Sequence, residues 1–262
     1  MLPQIRNALP PEIGEMDYFE PFVGGAAVAF DTVPKLTNTK HRVIISDINI
    51  ELMNMYDVIK KNPNELINEL RTHHNTASHF YEVRQWDRDS TFFQLDRVMR
   101  AGRFMYLNKT CFHGLHRENS AGNFNASFGF YRNPTICDSQ AITDASEFFN
   151  KYKVEIVCGD YENILFTSIL EPKNSFVYLD PPYDGCFSNY VANGWDDIEQ
   201  KRLKKTCDYL DKLGCKFLLS NSKTDLILGL YTNYRIQTVT SVRKINNSST
   251  KGLTEELIIR NY

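Results

Sequence analysis

The apolar run Phe176-Val177-Tyr178-Leu179 stops at Asp180-Pro181-Pro182-Tyr183. Proline has no N–H to give a sheet and fixes φ near about −65°. The residue before a proline is pushed into extended geometry. The chain must leave its sheet here, with the Asp180 carboxylate and the Pro181 carbonyl held as two rigid acceptors beyond the strand. Two acceptors at fixed separation suit an –NH2 group with its two N–H donors. Binding both hydrogens leaves the nitrogen lone pair directed at an electrophile. Tyr183 offers a flat face for a planar base. A proline-rich strand-to-loop connection accounts for neither the acid nor the tyrosine.

Other apolar runs end in a similar way. Met16 to Phe22 reads as a strand running into a Gly24-Gly25 turn, and Ala26 to Phe30 continues in helix-compatible residues. Arg42 to Asp47 is β-branched and bounded by an acid. Ile50 to Lys60 has helical apolar spacing. Strand, turn, helix, strand opens an α/β unit. The alternation then lapses. Pro63 to about Leu107 reads as helices, and Asn108 to Pro134 as loop with short turns. Strands return at Val154–Val157, Phe176–Leu179 and Lys216–Leu219, with a helix from about Asp197 to Leu213 ended by Gly214. Residues 235–240 and 256–260, joined by the polar loop 246–252, predict an antiparallel pair at the sheet's edge. The expected fold is an α/β sheet of residues 1–51 and 151–262, interrupted by a mostly helical insert at 52–150.

Such sheets bind ligands at the carboxyl ends of their strands. Gly24 and Gly25 let backbone approach a ligand closely. Asp47 lies 23 residues beyond Gly24, near the interval at which an acid meets a ribose hydroxyl. It also fits a cap for the helix starting near Asn49. Asp160, beside Tyr161, reads equally as a partner for an adenine amine or as a turn acid.

With 42% hydrophobic and 24% charged residues the chain has the composition of a soluble globular protein. No run approaches the roughly 20 apolar residues of a membrane span, and no signal peptide is expected. Six cysteines show no C-x-x-C pair, which fits free thiols in a reducing cytosol. Cys111, His113 and His116 lack a fourth ligand, so no metal is expected. The net charge of −2 does not advertise a polyanion partner. Two stretches are locally cationic. From Arg97 to Arg132 stand Arg97, Arg100, Arg103, Lys109, Arg117 and Arg132 against Glu118 alone. From Tyr234 to Thr254 stand Arg235, Arg243, Lys244 and Lys251 with no acid. Helical spacing makes Arg97, Arg100 and Arg103 a solvated face, whereas Lys109 and Arg117 fall in a turn region.

Taken in order, these segments resemble the α group of Dam-type DNA adenine-N6 methyltransferases. Asp180 to Tyr183 is similar to their DPPY motif, and Phe19 to Gly25 to the cofactor turn ahead of it. Ser46-Asp47-Ile48-Asn49 resembles the cofactor-ribose segment. Tyr106 to Lys109 through Gly114-Leu115, Arg117 and Asn119 resembles the target-recognition segment, continued by Gly122 to Asn125, Phe128-Gly129 and Tyr131. Leu218 to Asn221 and the ending Glu255 to Tyr262 complete the pattern, which covers nearly the whole chain. DPPY alone also marks methyltransferases acting on other amines; the ordered set is highly specific.

The resemblance implies a Rossmann-like class I methyltransferase sheet with a helical target-recognition insert, and S-adenosylmethionine as methyl donor. Carried over by position, Phe22 and Gly24 line the methionine end, Asp47 holds the ribose, and Asp160 with Tyr161 the adenine. Asp180 lies between cofactor and target amine, and Asp180, Pro181, Pro182 and Tyr183 form the catalytic set. Direct displacement at the sulfonium methyl needs neither covalent intermediate nor metal. An adenine inside a duplex must be flipped, at a few kcal/mol; stacking on Tyr183 offsets roughly 1–3 kcal/mol of that. Lys109, His113, Leu115, Arg117, Asn125, Ser127 and Tyr131, with Arg243 and Lys244, are implied as DNA-facing, and Arg117 as the reader of a guanine.

His113 stands where many relatives have Asn, Ser127 where they have Pro, and Phe130 where a basic residue is frequent. The expected site is therefore GATC or a related short palindrome in double-stranded DNA. A restriction endonuclease counterpart and a cytoplasmic setting, in a bacterial or virus- or phage-infected cell, go with it. A lysine-bearing segment of the K-W-A-G-G-K kind precedes the first helix in relatives. Its absence here leaves a second expectation, a weakly active or non-catalytic DNA-binding relic. Transfer to RNA or to a protein amide fits the long insert poorly.

Overall fold

The computed structural model describes residues 1–37, 40–185, 195–242 and 253–262, without the side chains of 241, 242 and 253. The first half of the chain runs α1 (Leu2–Ala8), β1 (Asp17–Glu20), α2 (Ala27–Thr32), β2 (Val43–Asp47), α3 (Ile50–Lys61), α4 (Pro63–Thr72), α5 (Ala77–Gln85) and α6 (Arg97–Thr110). There follow α7 (Ser139–Lys151), β3 (Glu155–Cys158), α8 (Tyr161–Ser168), β4 (Ser175–Leu179), α9 (Asp197–Leu213), β5 (Lys216–Ser222), α10 (Asp225–Leu230), β6 (Arg235–Val242) and β7 (Leu253–Arg260).

The strands form one seven-stranded sheet in the order β3-β2-β1-β4-β5-β7-β6. β1 is parallel to β2 and β4, and β4 to β5. β7 runs antiparallel to β5 and β6, so the expected antiparallel pair lies at the edge. β4 is buried along its whole length, which is why its sequence is an apolar run rather than an alternation.

The chain divides into two compact units. One comprises residues 1–48, 159–185 and 195–262, the other 49–158. The first is cored by Tyr18, Phe19, Ile44, Ile45, Phe176, Phe217 and Ile259. In the second, Leu66, Leu70, Phe80, Val83, Tyr106 and Phe149 are buried, where α3, α4 and α7 pack together and α3 and α4 also meet α6.

Two expectations are corrected here. Arg100 and Arg103 are not solvated. They are 8% and 4% exposed, because α6 turns this face inward to Glu51, which pairs with Arg100, and Asp87, which pairs with Arg103. Lys109 is not in a turn region, since α6 continues to Thr110. Among the described residues no helix is long and apolar enough to cross a membrane.

Candidate active site and recognition hairpin

At the carboxyl end of β1 the chain turns through Gly24, with φ +44°, and Ala26, with φ +57°. Glycine adopts the left-handed region without steric cost. A Cβ built on Gly24 or Gly25 would meet no protein atom within 4 Å. Backbone angle, not crowding, calls for Gly24, and the space before the turn is open. The Val23 N–H donates to the Ser46 carbonyl (2.9 Å) and the Gly159 N–H to the Asp47 carbonyl (3.1 Å). These bonds tie three turns together. The Gly24 N–H donates to Asp47 Oδ2 at 3.3 Å.

Of the two readings of Asp47, the helix cap belongs instead to Asn49, whose Oδ1 accepts from the N–H groups of Glu51 and Leu52, each at 3.0 Å. Asp160 does act as a cap. Its Oδ1 accepts from Glu162 and Asn163 at the start of α8. Its two oxygens also take a fork from Arg202 of α9, at 2.6 and 2.9 Å. Burial alone would raise the Asp160 carboxyl; the Arg202 guanidinium and the two amides overcome it and hold the group below its ordinary value.

The Arg202 guanidinium lies 4.9 Å from the Tyr161 ring centre. Tyr161 is 5.0 Å from Phe22, and Trp195 is 5.5 Å from Phe22 and 5.9 Å from Tyr161. Phe22, Tyr161 and Trp195 thus form an aromatic wall beside the β1 turn. Trp195 was not singled out from sequence, because no motif surrounds it.

Phe19 of β1 pairs with Val177 of β4. Phe22 and Asp180 each lie three residues further on, so the two loops leave adjacent strands at the same level. Asp180 is exposed, Pro181 buried and Tyr183 half-buried. Burial, then the Asp180 carboxylate, raises the Tyr183 phenol, which keeps its proton at neutral pH. Below them Glu20 is 2% exposed and accepts a 2.6 Å hydrogen bond from the Tyr18 hydroxyl. Burial pushes the Glu20 carboxyl up to about 8; the Tyr18 bond opposes this and Asp180 adds to it.

In the second unit Lys109 stands exposed on the last turn of α6. The two stretches after it run antiparallel, with bridges Cys111–Phe128 and Glu118–Phe124. The Phe112 N–H donates to Ser127, Gly129 to Thr110 and Asn125 to Arg117, each at 2.8 Å. What reads in the sequence as loop is therefore an irregular hairpin. Its buried side is anchored by Asp87, which accepts from the Phe124 N–H at 2.8 Å and pairs with Arg103 at 2.7 Å. Its other side presents His113, Leu115, Arg117, Ser127 and Tyr131, with Asn125 half-buried. His113 has φ +57°. Arg117 Nε donates to Asn125 Oδ1 at 2.7 Å, so two expected DNA contacts already bond each other. His116 Nε2 lies 2.9 Å from Glu118 Oε1, with its ring against Phe104 and Phe124. Phe130, 78% exposed, was noted in sequence only as a departure. Arg243 and Lys244 fall outside the described residues.

Residues 1–245 match the D12 class N6 adenine-specific DNA methyltransferase family. The type II methyltransferase M1.LlaDCHI of Lactococcus lactis subsp. cremoris is 35% identical, over 100% of this chain and 91% of its own. The type II methyltransferase M.MjaIII of Methanocaldococcus jannaschii is 38% identical, over 100% and 95%. The DNA adenine methylase of Vibrio cholerae serotype O1 is 28% identical, over 95% and 87%.

Proposed function

The chain belongs to the D12 class N6 adenine-specific DNA methyltransferase family, and we propose that it transfers a methyl group from S-adenosylmethionine to N6 of a flipped adenine in double-stranded DNA, within GATC or a related short palindrome. The observation that carries this reading is the pairing of β1 with β4, from which Phe22 and Asp180 emerge at one level. A cofactor turn and an amine-holding loop on neighbouring strands bring donor and acceptor within reach, and catalysis by positioning needs little more.

The donor set fits the cofactor. The open space before Gly24 and Gly25 accommodates its methionine end against backbone. The Asp47 carboxylate would accept from a ribose hydroxyl, and the Phe22–Tyr161 wall would pack against the adenine. Asp160 contributes through the cap and Arg202 fork that hold Tyr161 in place. When bound, the cofactor supplies an electrophilic sulfonium methyl. The chain's own part is to accept both N6 hydrogens with Asp180 and Pro181, to stack the base on Tyr183, and to leave the lone pair aimed at the methyl carbon.

The second unit is proposed to read DNA. Lys109 meets phosphate, while His113, Leu115, Arg117, Asn125, Ser127 and Tyr131 face the duplex. Residues 1–48 with 159–262 would hold the chemistry and 49–158 the recognition. The type II names of two relatives support a restriction endonuclease as counterpart, in the cytoplasm of a bacterial or phage-infected cell. Incubation with labelled S-adenosylmethionine and duplex DNA tests the reading: label is expected in N6-methyladenine at one short sequence. Specific binding without label, or transfer only to RNA or protein, would defeat it.

A further inference from the structure

We infer that Gln200 and Asn221 are positioning residues for methyl transfer, because their buried amides clamp the backbone on both sides of Tyr183. The inference rests on the proposed reading of Asp180 to Tyr183 as the amine-holding loop. Both side chains are at 0% exposure. Gln200, near the start of α9, donates from Nε2 to the Pro182 carbonyl at 3.1 Å. Its Oε1 accepts from Asn221 Nδ2 at 3.1 Å. Asn221, on β5, accepts with Oδ1 from the Asp184 N–H at 3.0 Å and from the Ser222 N–H at 2.8 Å. Ser222 Oγ donates to the Asp184 carbonyl and Thr224 Oγ1 to Asp184 Oδ2, both at 2.5 Å. The carbonyl before Tyr183 and the amide after it are thereby fixed.

The loop needs such help. Two consecutive prolines remove two N–H groups that would otherwise anchor it. They also make the clamp effective at a distance. With φ locked at Pro181 and Pro182, holding the Pro182 carbonyl leaves few free torsions between it and Asp180. The directions of the Asp180 carboxylate and the Pro181 carbonyl follow.

Packing alone does not explain the pair. Asp196 already caps α9 and Thr224 caps α10. An apolar side chain would fill position 200 at a lower desolvation cost than an amide. Each amide instead bonds the other and the loop.

The test uses Gln200→Met, which keeps length and burial, and Asn221→Asp, which keeps the acceptor for Asp184 and puts a carboxyl oxygen in place of the amide donor to Gln200. Ser222→Ala serves as a milder third variant. Turnover is measured on duplex DNA with S-adenosylmethionine, normalised to protein able to bind cofactor, with KM for both substrates. A fluorescent adenine analogue at the target reports base stacking. The first two variants should each lose roughly tenfold to a hundredfold in kcat, with both KM values within about twofold and altered analogue fluorescence. The Gln200→Met/Asn221→Asp pair should lose no more than the worse single, as groups acting together do. Ser222→Ala should lose about threefold, which settles the matter if the other two fail to fold. Parent-like kcat in the folded variants, or equal losses in kcat and in cofactor affinity, would overturn the inference. Asp180→Ala run alongside separates the failures. If it is inactive while the clamp variants turn over normally, only the clamp is wrong; if it turns over, the reading of the loop falls and the clamp with it.

Discussion

The strand-end loops of the first unit and the 111–131 hairpin of the second hold their exposed residues by opposite means. Around Asp180 and Tyr183 the backbone is gripped by side chains that are themselves buried, Gln200 and Asn221. Asp160 is likewise bound by two amides and by Arg202. In the hairpin the side chains of Asp87, Arg84 and Arg88 reach main-chain atoms of Phe124 and Ala126, and the Asn123 side chain reaches back to the Asp87 carbonyl. Of its exposed residues, Arg117 is steadied by Asn125 within the hairpin, and Tyr131 by a bond from Asn75 to its carbonyl. A reacting amine displaced by a fraction of an ångström loses rate steeply. A surface that reads bases works with side chains that can be exchanged on a constant frame.

The contrast predicts different damage in the two places. Asp180→Ala should lower methyl transfer on the order of ten-thousandfold, by removing both an acceptor and a positioning contact. DNA affinity in a gel-shift titration should stay within about twofold. A variant that still turns over would remove the distinction at its root. Asp87→Ala should cost about 3–5 kcal/mol, because Arg103 is left buried without its carboxylate. Denaturant titration reads it, and a loss below about 1 kcal/mol would show that the hairpin is framed in some other way.

Glu20 sharpens the first side. Its carboxyl ordinarily titrates at 4.5 and is pushed up to about 8 in the fold. Between these values the folded chain keeps a proton that the unfolded chain has lost. The stability that this group contributes is therefore greatest below about pH 4.5 and is lost as pH rises toward 8. The fall should be on the order of 2 kcal/mol between pH 5 and 8 once water entry relieves part of the burial cost. Glu20→Gln should flatten that slope in urea titrations, and an unchanged slope would assign it to another group. Arg117→Ala should have the smallest effect of these four, about tenfold weaker binding to the preferred site with relaxed base choice and little change in salt slope. Unaltered preference among competing duplexes would take Arg117 off the reading surface.

Much of this was legible because it is local. The apolar run before Asp180, the β-branched run before Asp47 and the glycine after Leu213 announce β4, β2 and the end of α9 without reference to distant residues. α8 and α10 were missed because they span 8 and 6 residues, too few for a helical period to show, and α7 was missed because its ends carry no proline or glycine to mark them. Arg100 and Arg103 were misread for a different reason. Their spacing shows that they share a helix face but not which way it points. That depends on Glu51, 49 residues away in sequence, and on Asp87. Gln200 carried no signal at all, since one glutamine in a charged helix looks like any other until its neighbours in space are known. The strand-end position of the candidate residues could be read from sequence, while their supports could not.

The parallel register between β1 and β4 has an evolutionary corollary. The relative placement of the β1 turn and the Asp180 loop is set by a hydrogen-bonded ladder, not by the length of polypeptide separating them. Residues 49–158 are then free to diverge, lengthen or be replaced by inheritance from another lineage while the proposed reacting groups stay in register, and under the proposed division of labour a new DNA target could be acquired without reinventing the chemistry.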